Sequence, residues 1–457
     1  QDGHFADDVM YKLAVEALDN ESLVAKRDYL KDALLMREYA AYAAVLFMLL
    51  PSLHALYIAD FNSATLDHLH TALRNLNPGP NWNTRHPSDG LMQRLSQIHT
   101  VSFNVDVLSG VAYPRHMTRF NLDPLLNLPC VRDLELSIPD GNERQLTTRV
   151  GALFNDRNIG ANPTNITRLV VRHSEPALRS LQQLLSATVQ LQTFTYDFFY
   201  DCKERADAPP RWLDLGAWTD LLPRSLKTLV LSVENCDMGA FPFQQPRMGV
   251  KLYGYLDLTQ HHNLHTVEVP FPFLTGDAEF SINNEIYPLL PPNLRHLSLR
   301  TDMSLAQHHF SFDTARLPQA LNFQESEDEA RHWNNARMDV SYMFHAAMVL
   351  LDFAANLETI SVWQPADASF EWFKGQINDF VQTCRNKSIR GIVMNPMILR
   401  WHNVAHWNLA KEITVYDPVR PSSQYYEALC RGERAGIPLG LASQYHMHAL
   451  RKHLVKR

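Results

Sequence analysis

Histidine is the residue type with the most chemistry to offer in this chain, at 21 positions. His402 and His406 stand four apart in WHNVAHW, residues 401–407. On a helix that spacing puts both imidazoles on one face, where they could share a metal ion. A zincin-type site also needs Glu directly after the first histidine, and Asn403 stands there instead. No third ligand can be named, so the sequence assigns no metal and no cofactor. His68 and His70, the trio His261, His262 and His265, the pair His308 and His309, and His446 with His448 are near one another without ligand spacing. Hydrogen-bonded or solvated rings are the expectation for all of them. Asp, Glu and His together could do general acid-base work in a cleft. However, no G-x-S-x-G, no P-loop, no G-x-G-x-x-G after a strand and no kinase set occurs. An enzyme of unknown reaction is therefore the alternative reading, with no catalytic residue assigned.

Composition narrows the partners. The net charge is -7 and the pI about 6.3, so no chain-wide basic field is available to hold nucleic acid. Arg451, Lys452, His453, Lys456 and Arg457 form a basic end that reads as the solvated last turn of a helix. The five cysteines are odd in number and widely spaced, with no CxxC. That points to a reducing compartment, the cytoplasm or the nucleus. The longest apolar run, Tyr39 to Leu50, is too short to cross a bilayer and reads as a buried helix. The opening Gln1-Asp2-Gly3-His4 lacks the basic and apolar regions of a secretory leader.

The elements that would position any site follow from a recurring pattern, apolar-x-x-apolar-x-apolar. It runs Leu53-Leu56-Ile58, Ile98-Val101-Phe103, Val131-Leu134-Leu136, Ile166-Leu169-Val171 and Leu191-Phe194-Tyr196. It continues as Leu226-Leu229-Leu231, Leu264-Val267-Val269, Leu294-Leu297-Leu299 and Leu357-Ile360-Val362. Weaker copies are Ile389-Ile392-Met394 and Ala410-Ile413-Val415. Residues two apart on a strand share a face, so each copy predicts a short strand with one apolar face. One copy cannot bury that face alone, and stacked copies can share a core. Successive copies begin 21 to 63 residues apart, against about 20–29 for a regular leucine-rich repeat. The competing explanation is a set of unrelated strands in an α/β domain.

Helical spacing appears between the strands at 176–185, 340–353 and 369–384. The expected fold is therefore α/β: an irregular leucine-rich-repeat solenoid with a parallel sheet on the concave face and helices on the convex face. Residues 1–50 read as a helical N-terminal cap over the first strand, 51–417 as the solenoid and 418–457 as a C-terminal helical cap. Insertions are expected at 201–212, which is Pro-rich and polar, and at 301–352, which carries the acidic run Glu325-Ser326-Glu327-Asp328-Glu329.

If the apolar triplets face the core, the residues between them face the concave surface. The charged and aromatic ones are the binding candidates: Tyr57, Asp133, Glu135, Arg168, Arg172, Glu268, His296, Arg300 and Trp363. Most of the remainder are Thr or Ser, which β-propensity on a solvated face also explains. Trp363 is the foremost candidate contact, because Trp dominates binding hot spots.

LLPSLHALYIAD (49–60), LLNLPCVRDLEL (125–136), LLPRSLKTLVLS (221–232) and LLPPNLRHLSLR (289–300) share the form LLP-x-L-x-x-L-x-L. Through these segments, residues 40 to 417 resemble the repeat region of fungal F-box and leucine-rich-repeat proteins. The resemblance implies a scaffold or substrate-receptor role. In that family a helical F-box docks on a Skp1-type adaptor of a ubiquitin ligase, and the repeats hold a protein substrate. The L-P-x-E-[ILV] opening of an F-box is not found here. The resemblance carries over no site residue, because the family's contacts vary with the partner.

Overall fold

A computed structural model describes residues 2–20, 27–50, 52–59, 97–104, 130–137, 165–174, 178–201, 211–236, 250–276, 289–304, 327–365, 372, 374–401 and 404–419. The chain divides into two compact units, residues 1–192 and 193–457. Each is mixed α/β, with a mostly parallel sheet.

The first unit opens with three helices, α1 (Asp2–Asn20), α2 (Arg27–Leu35) and α3 (Tyr39–Leu49). They pack on one another through Leu18, Leu30 and Leu34, which are fully enclosed. Four parallel strands follow in chain order: β1 (Ala55–Ala59), β2 (Thr100–Asn104), β3 (Asp133–Ser137) and β4 (Arg168–Ser174). Helix α4 (Leu178–Ala187) completes the unit. The strands start flush, with Ala55 opposite Thr100, Thr100 opposite Asp133 and Asp133 opposite Arg168. Because the side-chain period is two, flush pairing keeps all four apolar sets on one face.

The second unit begins with β5 (Thr193–Asp201), β6 (Arg211–Asp214) and α5 (Leu215–Leu221). Next come β7 (Thr228–Cys236), β8 (Val250–Tyr253), β9 (Thr266–Pro270) and α6 (Phe271–Thr275). After β10 (His296–Arg300) come α7 (Glu327–Phe353), β11 (Thr359–Trp363) and α8 (Lys374–Lys387). The unit ends with β12 (Arg390–Trp401) and β13 (Val404–Tyr416). Strands β5, β7, β9, β10, β11 and β12 lie side by side, parallel and in chain order. Their first residues are again level, from Thr193 opposite Thr228 to Thr359 opposite Arg390. Strand β13 runs antiparallel to β12, and its first residue, Val404, pairs back with Cys236 of β7. Strands β6 and β8 make a separate parallel pair that the apolar pattern does not signal.

The last two residues of each copy of the apolar pattern lie on a strand, and in the seven copies that begin at Val131, Ile166, Leu191, Leu226, Leu264, Leu294 and Leu357 both are buried. Leu229, Val267, Leu297 and Ile360 are all fully buried. Each such side chain is worth about 1.5–3 kcal/mol on burial. Aromatic rings fill the space under the longer strands: Trp218 meets Tyr196 and Phe198, each at 4.7 Å, and Phe198 meets Phe273 at 5.6 Å. Helix α8 sets Cys384 against Gly391 of β12, and burial pushes that thiol up to about 12. Only Gly fits there, since a Cβ would meet the sulfur at 2.9 Å.

Parts of the two expected insertions fall within the described residues. Asp201 closes β5 and Arg211 opens β6, so the ends of 201–212 are strand. Within 301–352, Thr301 to Ser304 are buried, and helix α7 begins inside the acidic run and turns Val340, Met343, Ala346 and Leu350 inward. The C-terminal cap expected at 418–457 lies outside the described residues from 420 onward. Leu53 and Leu56 remain half-exposed, whereas their counterparts Ile98 and Val101 are fully buried.

Candidate functional site

Strand alternation places the candidate residues. In the first unit the face opposite the core carries Tyr57, Ser102 and Glu135 in one row and Thr100, Asp133 and Arg168 in the next. Each carboxylate accepts from a hydroxyl on the preceding strand. Thr100 Oγ1 donates to Asp133 Oδ2 at 3.3 Å, and Ser102 Oγ donates to Glu135 Oε2 at 3.1 Å. Tyr57 is 71% exposed, and Arg168 is also exposed. Arg172 stands opposite Ser137, one step further along the same face, with its side chain outside the described residues.

In the second unit Glu268, His296, Arg300 and Trp363 come together on three adjacent strands, again on the face opposite the core. His296 is exposed. The remaining three form one group in which Arg300 and Trp363 are buried and Glu268 is half-buried. Arg300 Nη1 donates to Glu268 Oε1 at 2.6 Å, and its Nε donates to Asp302 Oδ2 at 2.7 Å. Its guanidinium stacks 4.4 Å over the Trp363 ring. Burial alone would push the guanidinium down, but Asp302 and Glu268 more than reverse that and hold it above its ordinary value. Burial pushes the Asp302 carboxyl up, and Arg300 offsets only part of the effect. Asp302 also accepts the backbone N–H of Val233 at 2.9 Å, tying the end of β10 to β7. Nearby on the same face, Ser232 of β7 donates to Asp197 of β5.

This arrangement corrects the expectation for two residues. Trp363 and Arg300 are each only 7% exposed, so neither is presented to solvent as a contact. Both lie in the last row of the strands, beside the buried segment Thr301 to Ser304, whose Asp302 binds Arg300 and the backbone of β7. Ser304 is held there by Asp339 of α7. What stays accessible is the pair of rows before it, formed by Thr193, Thr195, Thr228, Thr266, Ser298, Thr359 and Ser361 with Glu268, His296 and Arg390. These groups offer hydrogen bonds and little charge.

At the entry to the strands the backbone repeats a motif that the apolar pattern does not reveal. The carbonyl of His54 accepts from His99 and Thr100, that of Arg132 from Thr167 and Arg168, and that of His265 from Arg295 and His296. Three asparagines, each three residues before a strand, bind the preceding turn. Asn263 Nδ2 donates to the Arg224 carbonyl at 3.0 Å, Asn293 to that of His262 at 2.8 Å and Asn356 to that of Pro292 at 3.1 Å. The signal is legible in retrospect as Asn-Leu before β9, β10 and β11. His54 and His99 use Nδ1 in a related way, donating to the Gln97 and Cys130 carbonyls, and their rings stack at 6.1 Å.

The other histidines separate. His406 lies on β13 opposite Leu399, on a strand rather than a helix, and His402 lies outside the described residues. The spacing argument for a shared metal needed a helix and does not apply to a strand, where residues four apart are about 13 Å from each other. His261 is buried with Nε2 3.4 Å from the Leu222 carbonyl, while His262 is exposed. The pairs at 68 and 70, 308 and 309, and 446 and 448 lie outside the described residues. Among the described residues no group of three His, Cys, Asp or Glu side chains could hold a metal ion, and no helix is long and apolar enough to cross a membrane. The sequence matches no protein-family model and no curated protein.

Proposed function

We propose that the chain is an irregular leucine-rich-repeat solenoid that works as a protein-interaction scaffold, of the kind that serves as a ubiquitin-ligase substrate receptor. The observation that carries this is the flush pairing of parallel strands in chain order within each unit. Doubly wound domains reverse their strand order at a switch point, and their ligands bind there. Stacked repeats keep one order and present one continuous face. The asparagine and carbonyl ladders at the strand entries support the same reading, because the same bond recurs at equivalent places in successive copies.

The binding surface in this reading is the face opposite the core. Tyr57, Asp133, Glu135 and Arg168 supply it in the first unit; His296, Glu268 and the Thr and Ser rows supply it in the second. Its hydroxyls suit a partner that presents main-chain and polar side-chain groups, with Tyr57 as the exposed aromatic anchor. The partner is a protein, met in the cytoplasm or nucleus. Arg300 and Trp363 hold the sheet end beneath the surface instead of touching the partner.

Co-purification from native lysate, with and without an added Skp1-type adaptor and read by mass spectrometry, tests the proposal. Adaptor and cullin peptides with a stoichiometric further protein are expected. A eluate holding a bound small molecule and no protein above background would overturn it. Replacing His296 and Thr359 with Glu should lower recovery of the bound protein at least about tenfold, as expected for charge placed at a polar contact.

A further inference from the structure

The residue after the first apolar position of each pattern copy stands at the entry to its strand. In six of the nine copies from Leu53 to Leu357 it is Lys, Arg or His: His54, His99, Arg132, Lys227, His265 and Arg295. It is acidic once, at Glu358. Composition alone, with 42 Lys and Arg and 21 His in 457 residues, predicts one such residue in nine places. The chain holds 49 Asp and Glu, more than its Lys and Arg, so solvent exposure does not by itself select this sign. In the second unit the backbone ladder sets these places side by side. The Lys227 carbonyl accepts from His265, that of His265 from Arg295 and that of Arg295 from Glu358. Neighbouring strands lie about 4.8 Å apart, so Lys227, His265 and Arg295 stand in line. The turns before them add Arg224 and His262. Asn263 donates to the Arg224 carbonyl, and Asn293 donates to that of His262. Arg224, Lys227, His262 and Arg295 are exposed, and His265 is half-buried.

We infer that this strand-entry rim of the second unit docks an acidic segment of a partner protein, a run of Asp or Glu in extended chain. The inference rests on the scaffold reading above and adds a second surface beside the Thr and Ser rows. Charge complementarity carries it. Arg224, Lys227 and Arg295 are fixed cations, and the row holds one carboxylate, Glu358, 3.5 Å from Arg295 with both side chains 57% exposed. His265 Nδ1 donates to the Asn293 carbonyl at 3.2 Å, which leaves Nε2 to a partner. An exposed ion pair is worth at most about 1 kcal/mol, so a partner needs several carboxylates in a row to profit from the rim. The net charge of -7 does not prevent docking, because charges beyond about 8 Å are largely screened at physiological salt. Cations also complement helix C-termini, but no helix lies in 254–264 or 289–294, the described segments leading into His265 and Arg295. A nucleic-acid interface makes on the order of 6–10 phosphate contacts, more than three fixed cations supply.

Fluorescence anisotropy of a labelled decaglutamate peptide, titrated with the full chain, tests it. Saturable binding is expected at about 50 mM salt, weakening at least about threefold by about 200 mM. Arg224→Glu, Lys227→Glu and Arg295→Glu together should weaken it at least about tenfold while circular dichroism stays unchanged. If that variant unfolds, Lys227→Gln decides, with a loss of about threefold expected. Glu358→Gln removes the one carboxylate of the row and should tighten binding about threefold, a gain that misfolding does not produce. No saturation up to roughly 1 mM protein overturns the inference. So does a folded triple variant that binds like the wild type, or a labelled single strand of ten thymidines that binds more tightly than the peptide. Failure here with the native partner still recovered from lysate removes the rim and keeps the scaffold; failure of both removes both.

Discussion

Glu135 and Glu268 occupy the same slot in their strands, the third residue of β3 and of β9, on the face opposite the core. Their surroundings differ. Glu135 accepts from Ser102 on the strand before it. Glu268 accepts from Arg300 on the strand after it, a buried guanidinium that Asp302 also binds and that stacks on Trp363. Arg172 stands in the slot of β4 that Arg300 holds in β10, since Ser137 faces the one and Pro270 the other. One strand pattern thus supports either a part-buried hydroxyl–carboxylate pair or an ion group built around a buried guanidinium. The segment after the strand decides, because Thr301 to Ser304 bring a second carboxylate and a cover.

The largest test of that difference is Arg300→Met. Removing one partner of a buried ion group leaves its carboxylates uncompensated, at a cost of about 3–5 kcal/mol. Urea unfolding should show the loss, and adding Glu268→Gln and Asp302→Asn should restore part of it. A cost under about 1 kcal/mol would place Arg300 with the solvated pairs. Arg172→Met, measured alongside, tells whether the matching slot is built the same way.

Smaller effects lie at the strand entries. Asn293→Ala should cost about 1 kcal/mol, the worth of one hydrogen bond to a turn carbonyl. Unfolding midpoints that match the wild type would show that the asparagine ladder accompanies the repeats without stabilising them. His261 supplies a pH dependence of comparable or smaller size. Burial lowers its affinity for a proton below the ordinary value of 6.5. The unfolded chain then takes up the proton first as pH falls, so His261 contributes stability above that value and loses it below. The drop in urea midpoint between about pH 7.5 and 5.5 should shrink in His261→Leu. A drop of the same size in the variant would assign the dependence to other groups. Glu135→Gln should be the mildest change, under about 1 kcal/mol, since its partner is a hydroxyl at a half-open face.

The strands are legible in the apolar pattern. The last two residues of all eleven apolar triplets lie on strands of the two units, because a two-residue period is a local property of the chain. Helices α4, α7 and α8 were equally legible from their 3.6-residue spacing. The β6–β8 pair was not, since Arg211–Asp214 and Val250–Tyr253 are too short to show a period. For the candidate site, the alternation identified which residues share a face, including Tyr57, Asp133, Glu135 and Arg168. Which of them water can reach depends on how the folded chain packs around each row. Trp363 and Ser361 have the same strand parity, yet Trp363 is buried in the last row and Ser361 is half-buried in the row before it. Burial at a strand end depends on a segment that is distant in sequence and bound through Asp302, Val233 and Asp339, and no local pattern encodes that closure.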